Sequence, residues 1–199
     1  MRKSVSAMFI GFLLLIGVCF WNVTKVAAQQ SSVTAVPSVD LKRYSGKWFE
    51  IARLPNKFQK DCVGNVTADY ALNSDGTIQV TNRCLKKDGK TDQAVGKAKI
   101  EDKQTNSKLE VRFAPAYLSF LPMVWGDYWV IDLDSNYQYA VVGNPDRKYL
   151  WVLSRKPEMD DATYQQILRR VEKMGYSPNK LTKTPQNMET IKGTIVGKQ

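Results

Sequence analysis

Residues 45–58 read SGKWFEIARLPNKF, where a glycine and a tryptophan introduce an alternating apolar run. Apolar and polar residues keep alternating in short segments as far as residue 153, which is typical of strands with one buried face. The segments are 48–52, 65–72, 77–81, 94–99, 108–113, 128–133, 139–142 and 149–153. Eight strands with short links predict an all-β fold, an antiparallel up-and-down sheet that closes on itself as a barrel with a small interior.

One later segment has a helical period instead. Its shared face carries Tyr164, Ile167, Leu168, Val171 and Met174, with Asp160 and Asp161 near the start and Gly175 just beyond the end. This pattern predicts one C-terminal α-helix. Residues 140–142 and 149–153 are apolar on both faces, so we expect the helix to pack on the outside of the barrel at these strands.

The N-terminal residues indicate export. Arg2 and Lys3 precede the apolar run 8–21, and small residues at 26–28 offer a cleavage site, which predicts a signal peptide over residues 1–28. Two alternatives remain open. The first is that the apolar run is an uncleaved anchor. The second is that it is a lipoprotein signal that ends before an acylated Cys19, because residues 15–19 (LIGVC) resemble a bacterial lipobox. The polar residues 29–37 that follow are typical of a linker.

The composition excludes several kinds of chemistry. The chain has no histidine, which rules out His-based triads and His-ligated metal or haem sites. The sequence also has no Gly-rich phosphate loop and no GxSxG elbow. Although the net charge is +10, the lysines of residues 86–103 are interleaved with acids, so nucleic acid is not expected as a partner. We therefore predict no catalytic residue, no metal site and no cofactor.

Short motifs at the strand ends resemble the signature of the lipocalin family. The GKW of residues 46–48 matches the G-x-W that opens the first strand, and the LSR of residues 153–155 matches the arginine that ends the last one. The DLD of residues 132–134 is a degenerate form of the middle motif. The resemblance covers residues 38–186 and leaves 187–199 as a tail. The chain is similar in particular to bacterial outer-membrane lipocalins, apolipoprotein D-like proteins and plant temperature-induced lipocalins.

The resemblance implies a structural role for the signature residues. Gly46 lets the chain turn into the base of the barrel, because glycine tolerates backbone angles that other residues avoid. Trp48 would then cap the narrow end. Arg155 would lie over its ring as a cation–π pair that contributes about 0.5–2 kcal/mol. This places the motif outside the ligand cavity.

The resemblance also implies a carrier of a small hydrophobic ligand in the cell envelope, such as a fatty acid or lysophospholipid, with a role in membrane maintenance or stress response. If the apolar face of each strand points inward, the ligand-binding residues are Val66, Tyr70, Val80, Asn82, Val111, Phe113, Trp129, Ile131 and Tyr139. The alternative is a lipid-modifying or isomerising enzyme with an Asp, Tyr or free cysteine in the cavity. We expect a periplasmic or outer-membrane location in a bacterium, and a secreted or membrane-associated one in a eukaryote.

Two cysteines remain once Cys19 is assigned to the signal. Cys62 begins the second strand and Cys84 ends the third, so both fall at the open end, and an exported protein with two cysteines most simply forms one disulfide. A simple hairpin register pairs Cys84 with Gly64 or Val66, so a bridge to Cys62 requires a β-bulge or a loop approach. A reactive thiol at either position is the enzymatic alternative.

The connection over residues 114–126 is unusually apolar for a loop. Its large side chains include Tyr117, Phe120, Leu121 and Trp125, a patch that water does not favour. Three interpretations remain: a tip that touches a membrane, a lid folded into the cavity, or a dimer contact. The protein is accordingly expected to be a monomer or a weak dimer.

Overall fold

The computed structural model describes residues 32–187 and Ile191. Eight strands form a closed antiparallel barrel in which each strand pairs with the next and the last pairs with the first, so the predicted fold is confirmed. The strands are β1 (Gly46–Arg53), β2 (Cys62–Leu72), β3 (Ile78–Lys86), β4 (Thr91–Ile100), β5 (Lys108–Arg112), β6 (Gly126–Leu133), β7 (Tyr139–Gly143) and β8 (Leu150–Ser154). A short additional strand, β9 (Thr182–Lys183), pairs with β1.

One end of the barrel is closed by the segment that precedes β1. A four-residue helix, α1 (Leu41–Tyr44), crosses this base, and the Asp40 carboxylate caps it by accepting from the backbone N–H groups of its first turn. Gly46 follows with φ of +92°, a backbone conformation that favours glycine. Trp48 is completely buried behind it. The Gly-x-Trp turn therefore lies at the base of the barrel, with the Trp48 side chain in the core.

The lower half of the barrel is a packed hydrophobic core. Its buried members are Val39, Tyr44, Trp48, Ala68, Tyr70, Ile78, Val80, Ala98, Leu109, Val130, Ala140, Val142 and Leu153. The space enclosed among them is about 10 Å³, roughly the room that one water molecule needs. The base of the barrel therefore leaves no room for a ligand larger than a water molecule.

A second hydrophobic cluster lies outside the barrel under the predicted helix. Helix α2 (Asp161–Lys173) has Asp160 as its N-cap and is followed by Gly175 at φ of +83°. Tyr164, Ile167 and Val171 are buried on its inner face. They pack on the outward side chains of β7 and β8, which include Val141, Leu150 and Val152. The predicted docking site of the helix is confirmed.

This outer cluster corrects part of the predicted ligand set. Trp129, Ile131 and Tyr139 belong to it and face the helix instead of the cavity. Their neighbours Tyr128 and Val130 face inward, in the core of the barrel. The expectation was wrong because β6 and β7 are apolar on both faces, so a period of two cannot tell which face is inside.

The C-terminal segment closes a gap in the barrel wall. Gly46 to Phe49 of β1 pair with β2, but the upper half of β1 pairs with β9. The segment then continues between the two strands. The backbone N–H of Asn65 donates to the Pro185 carbonyl at 2.9 Å, and the Gln186 amide donates to the carbonyls of Glu50 at 2.7 Å and Val66 at 2.9 Å. The barrel is therefore complete only with residues near 182–186 in place.

The segment before α1 also packs on the barrel. Val33 is 7% exposed and lies in the outer cluster, while the backbone N–H of Val36 donates to the Val130 carbonyl at 2.8 Å. This part of the predicted linker is therefore held against the barrel, because its valines bury apolar surface there. The predicted signal peptide, the Cys19 lipidation site and residues 29–31 lie outside the described residues, as does most of the 187–199 tail.

The predicted disulfide is present at the open end. Cys62 and Cys84 are bonded with their Cα atoms 5.6 Å apart. The register between β2 and β3 shifts on both sides of Gly64, so the ladder pairs Cys62 with Lys86 and Gly64 with Leu85. The bulges that the sequence required are therefore found, and neither cysteine is a free thiol.

Candidate functional site: the barrel cavity and its mouth

Three tyrosines form the floor of the cavity. The hydroxyls of Tyr44 and Tyr128 lie 2.8 Å apart, and Tyr128 donates to the Tyr70 hydroxyl at 2.8 Å. Burial raises the pKa of Tyr70 to about 12, and burial also raises the pKa of Tyr44 and Tyr128 well above the usual value. The hydroxyls therefore stay protonated at neutral pH and serve as hydrogen-bond donors rather than as bases.

The predicted ligand residues divide between the floor and the upper cavity. Tyr70 and Val80 lie in the packed floor. Asn82 pairs with Ala68 and Val111 pairs with Ala98, and both partners face the core, so these two residues face inward above the floor. Phe113, two residues beyond Val111, is 41% exposed at the mouth. Val66 is buried near the bulge in β2, beside the inserted C-terminal segment.

Sequence reasoning missed a charged pair inside the barrel. Glu50 pairs with the inward-facing Leu153 of β8 and is 2% exposed, so its carboxylate lies inside the wall. The Arg53 guanidinium donates to it at 2.6 Å, the Gln59 amide donates at 2.6 Å, and the Thr184 hydroxyl also donates. The burial of an acid is tolerable only because each oxygen is hydrogen-bonded. The spacing of Glu50 two residues after Trp48 was the available signal for an inward position.

An aromatic series leads from the mouth toward this pair. Phe58, 65% exposed, lies 5.5 Å from Tyr149 between ring centroids, and Tyr149 stacks on Trp151 at 5.7 Å. The Trp151 indole donates to the Gln59 side chain at 2.9 Å. Trp151 also packs against the inner core. The entrance on this side therefore presents flat apolar rings above a satisfied polar network.

The connection between β5 and β6 forms the opposite rim. It folds as two short 3-10 turns, Ala116–Leu118 and Pro122–Val124, with the Trp125 indole donating to the Ser119 carbonyl at 2.9 Å. The exposed fractions of its outward side chains are 75% for Tyr117, 75% for Phe120 and 84% for Met123. Leu121 and Trp125 are half-buried within the loop. Three large side chains of the loop, Tyr117, Phe120 and Met123, thus point to solvent and not into the cavity.

The described residues hold no group of His, Cys, Asp and Glu side chains that could bind a metal ion. Among residues 32–187 no helix is both long and apolar enough to cross a membrane. Cys62 and Cys84 are joined in the disulfide, so neither of them offers the free thiol that was the enzymatic alternative at these two positions.

A calyx of eight antiparallel strands, closed at its base by a buried tryptophan and open at an apolar rim, defines the class of this protein. The family model of the lipocalin-like domain matches residues 39–186. The chain therefore belongs to the lipocalin family.

Characterised proteins similar to this chain come from several kingdoms. The temperature-induced lipocalin-1 of Arabidopsis thaliana is 40% identical over 161 residues, which cover 80% of this chain and 86% of that protein. The outer membrane lipoprotein Blc of Escherichia coli K12 is 39% identical over 149 residues, 74% of this chain and 80% of that one. Mouse apolipoprotein D is 32% identical over 155 residues, 74% and 77% of the two chains.

Solved structures agree on the fold. Insecticyanin from the tobacco hornworm superposes with a TM-score of 0.62 at 21% identity, covering 79% of this chain and 86% of that one.

Proposed function

We propose that this lipocalin binds and carries one small hydrophobic molecule, such as a fatty acid or lysophospholipid, in the upper half of its barrel. The observation that carries the proposal is that the inside of the barrel has a packed base and a less tightly packed upper half. The base is packed nearly solid, whereas the inward side chains near the mouth, including Asn82, Val111 and Trp151, are only half-buried. An enclosed apolar space with few polar groups is what a lipid chain needs.

The polar groups suggest how such a ligand is oriented. The floor beneath the cavity is tightly packed, and its three tyrosine hydroxyls bond to one another among apolar side chains, so it suits a hydrocarbon tail. The charged pair of Glu50 and Arg53 and the side chain of Gln59 lie nearer the mouth. We therefore expect the ligand to enter tail first and to leave its polar end near these groups.

Native mass spectrometry tests this function. The protein is delipidated, incubated with a fatty acid, a lysophospholipid and a sugar of similar mass, and measured under non-denaturing conditions. One bound lipid per chain and no bound sugar are expected. Failure to take up any lipid contradicts the proposal, and chemical turnover of a bound lipid would support an enzyme instead.

We further propose that the protein is exported and works in the cell envelope, in membrane maintenance or stress response. Similarity to a protein named an outer membrane lipoprotein supports the location, and similarity to one named temperature-induced supports the link to stress. The mass of the mature N-terminus tests the processing. A chain that starts at residue 29 has lost a signal peptide, a chain that starts at an acylated Cys19 is a lipoprotein, and an intact Met1 contradicts both.

The rim formed by residues 114–126 is proposed as the contact with a membrane. Three large apolar side chains, Tyr117, Phe120 and Met123, are exposed on one short loop, and solvent does not favour such a cluster. The lid alternative is less well supported because these side chains point away from the cavity. A contact of this kind would place the mouth of the barrel at the lipid surface, where a carrier must take up and release its ligand.

A further inference from the structure

Arg112 occupies an unusual position at the mouth end of β5. It pairs with Lys97 across the sheet in a row that faces outward, yet it is only 7% exposed, because the rim loop covers it. Its Nη1 donates to the Ala114 carbonyl at 2.6 Å, and its guanidinium carbon lies 5.3 Å from the centroid of the Trp125 ring. The Nε–H is buried and has no hydrogen-bond acceptor.

The neighbouring lysines are paired with carboxylates, whereas Arg112 is not. Lys97 contacts the Asp75 carboxylate at 2.9 Å, and Lys99 contacts the Glu110 carboxylate at 2.8 Å. Within the described residues no carboxylate lies within 4 Å of Arg112. A buried arginine normally forms a hydrogen-bonded ion pair, so this one lacks the anion that would complete it.

The side chain borders a groove on the outside of the barrel. The groove has a volume of about 480 Å³ and opens where β4 continues past its last pair with β5. Its polar wall carries Arg112, Lys97 and Gln79, and its apolar wall carries Val95 and Phe113. Such a mixed surface suits a molecule that has an anionic group joined to an apolar part.

We propose that this groove binds the phosphate of a membrane phospholipid, with Arg112 as the residue that recognises it. Nη1 is already engaged by Ala114, so the free edge of the guanidinium is the one formed by Nε and Nη2. Two parallel N–H donors on that edge match two oxygens of a phosphate. The phospholipid is favoured over free phosphate because the exposed Phe120 and Met123 belong to the same loop as Ala114 and Ala116, which line the groove.

The inference rests on the proposed membrane contact of the rim loop and adds chemical selectivity to it. The loop alone would bind any apolar surface. The groove would make the protein prefer bilayers that carry phosphate over bilayers of galactolipid, whose headgroups are uncharged sugars. Arg112 faces outward, away from the inward side chains of the barrel, whereas Phe113 borders both the groove and the mouth.

Vesicle co-sedimentation tests the proposal. The purified protein is compared on vesicles of phosphatidylcholine, which carries a phosphate but no net charge, and on vesicles of galactolipid. The wild-type protein should bind the phospholipid vesicles about tenfold more tightly, the gain typical of a charge-assisted hydrogen-bonded pair. Arg112→Gln should remove the preference, and Arg112→Lys should not restore it, because an ammonium group lacks the planar fork. Lys108→Gln, on the same outward row of β5, is the matched control and should keep the preference.

Several outcomes overturn the proposal. A preference that persists in folded Arg112→Gln contradicts it, and so does a preference that Lys108→Gln abolishes equally. If inorganic phosphate shifts the ¹⁵Nε resonance of Arg112 but phospholipid does not, the site binds a free anion and the lipid assignment is wrong. Uptake of fatty acid into the barrel should be unchanged in Arg112→Gln, so a failure of the cavity function is seen separately.

A measurement on the wild-type protein avoids dependence on variants. The ¹⁵Nε resonance of Arg112 is followed by NMR while a short-chain phosphatidylcholine is added as monomers. A shift is expected with the phospholipid and not with an alkyl maltoside of equal chain length. Equal shifts with both amphiphiles mean that the groove recognises only the alkyl chain, which contradicts the proposal.

Discussion

The guanidinium carbon of Arg155 lies 3.8 Å from the centroid of the Trp48 ring. The same guanidinium donates to four backbone carbonyls, those of Arg43, Tyr44, Ser45 and Lys47. Arg155 thus ties the last strand to the whole turn that closes the base. Desolvation by burial lowers its pKa, but the stack and the carbonyl oxygens favour its charged form.

Replacing Arg155 by lysine should destabilise the protein by about 2–4 kcal/mol, although the charge is kept. The ammonium group cannot stack as a plane on Trp48 and cannot reach four carbonyls at once. Urea unfolding followed by tryptophan fluorescence measures the change. Lys156→Met, at the next and exposed position, is the control and should alter the free energy of unfolding little. A loss below about 0.5 kcal/mol for Arg155→Lys would show that the clamp is not a major contributor.

Gly64→Ala should destabilise the protein by about 1–3 kcal/mol, the usual cost of overpacking. A Cβ atom at Gly64 would lie 2.6 Å from both the Ile191 side chain and the Pro185 carbonyl, so it would push the C-terminal segment out of the gap between β1 and β2. Gly126→Ala is the matched control in another strand, because its Cβ would meet nothing closer than 3.9 Å. Equal thermal stabilities of the two variants would argue against the closing role of the segment.

Phe120→Ser combined with Met123→Ser should weaken binding to vesicles even at high salt. Each buried apolar side chain would contribute up to about 1.5–3 kcal/mol in the interface, and this term is not screened by ions. Both side chains are exposed, so the thermal midpoint should change little. Leu72→Ser, an exposed position at the closed end, should leave vesicle binding intact. A variant that loses thermal stability and keeps vesicle binding would mean that the loop is a packed lid.

Stability should fall as the pH rises from about 10 toward 12, because the unfolded tyrosines ionise near pH 10 whereas the folded pKa of Tyr70 is about 12. In this window the folded state holds more protons than the unfolded state, so deprotonation favours unfolding. Below pH 10 the contribution is fully present. Urea midpoints measured across the window should fall less steeply in Tyr128→Phe. Tyr117→Phe, at an exposed position, should keep the wild-type slope, and equal slopes in all three proteins would refute the interpretation.

Val111→Trp should reduce fatty acid uptake strongly, since Val111 faces inward above the floor and a larger ring would fill the space proposed for the ligand. Val95→Trp is the control, because Val95 is 52% exposed on the outer side of β4. Displacement of a fluorescent fatty acid measures both. Normal uptake by a correctly folded Val111→Trp protein would place the ligand elsewhere.

The sequence by itself determined the barrel, the closed base, the disulfide partners and the outer helix. These depend on local signals: alternation in the strands, the glycine before Trp48, a helical stripe ended by Gly175, and two cysteines near strand ends. Such signals act over a few residues, so they can be read along the chain. The sequence also showed that the 114–126 loop is apolar, although not which way its side chains point.

Only the tertiary structure decided which face of β6 and β7 is inside. Ile131 and Val130 are equally apolar, and the helix that covers Ile131 comes some 30 residues later. The insertion of Gln186 between β1 and β2 likewise joins residues 120 or more apart in sequence. The unpaired Nε of Arg112 has the same origin, because burial and the absence of a partner depend on how distant segments pack. Long-range contacts of this kind leave no periodic trace in the chain.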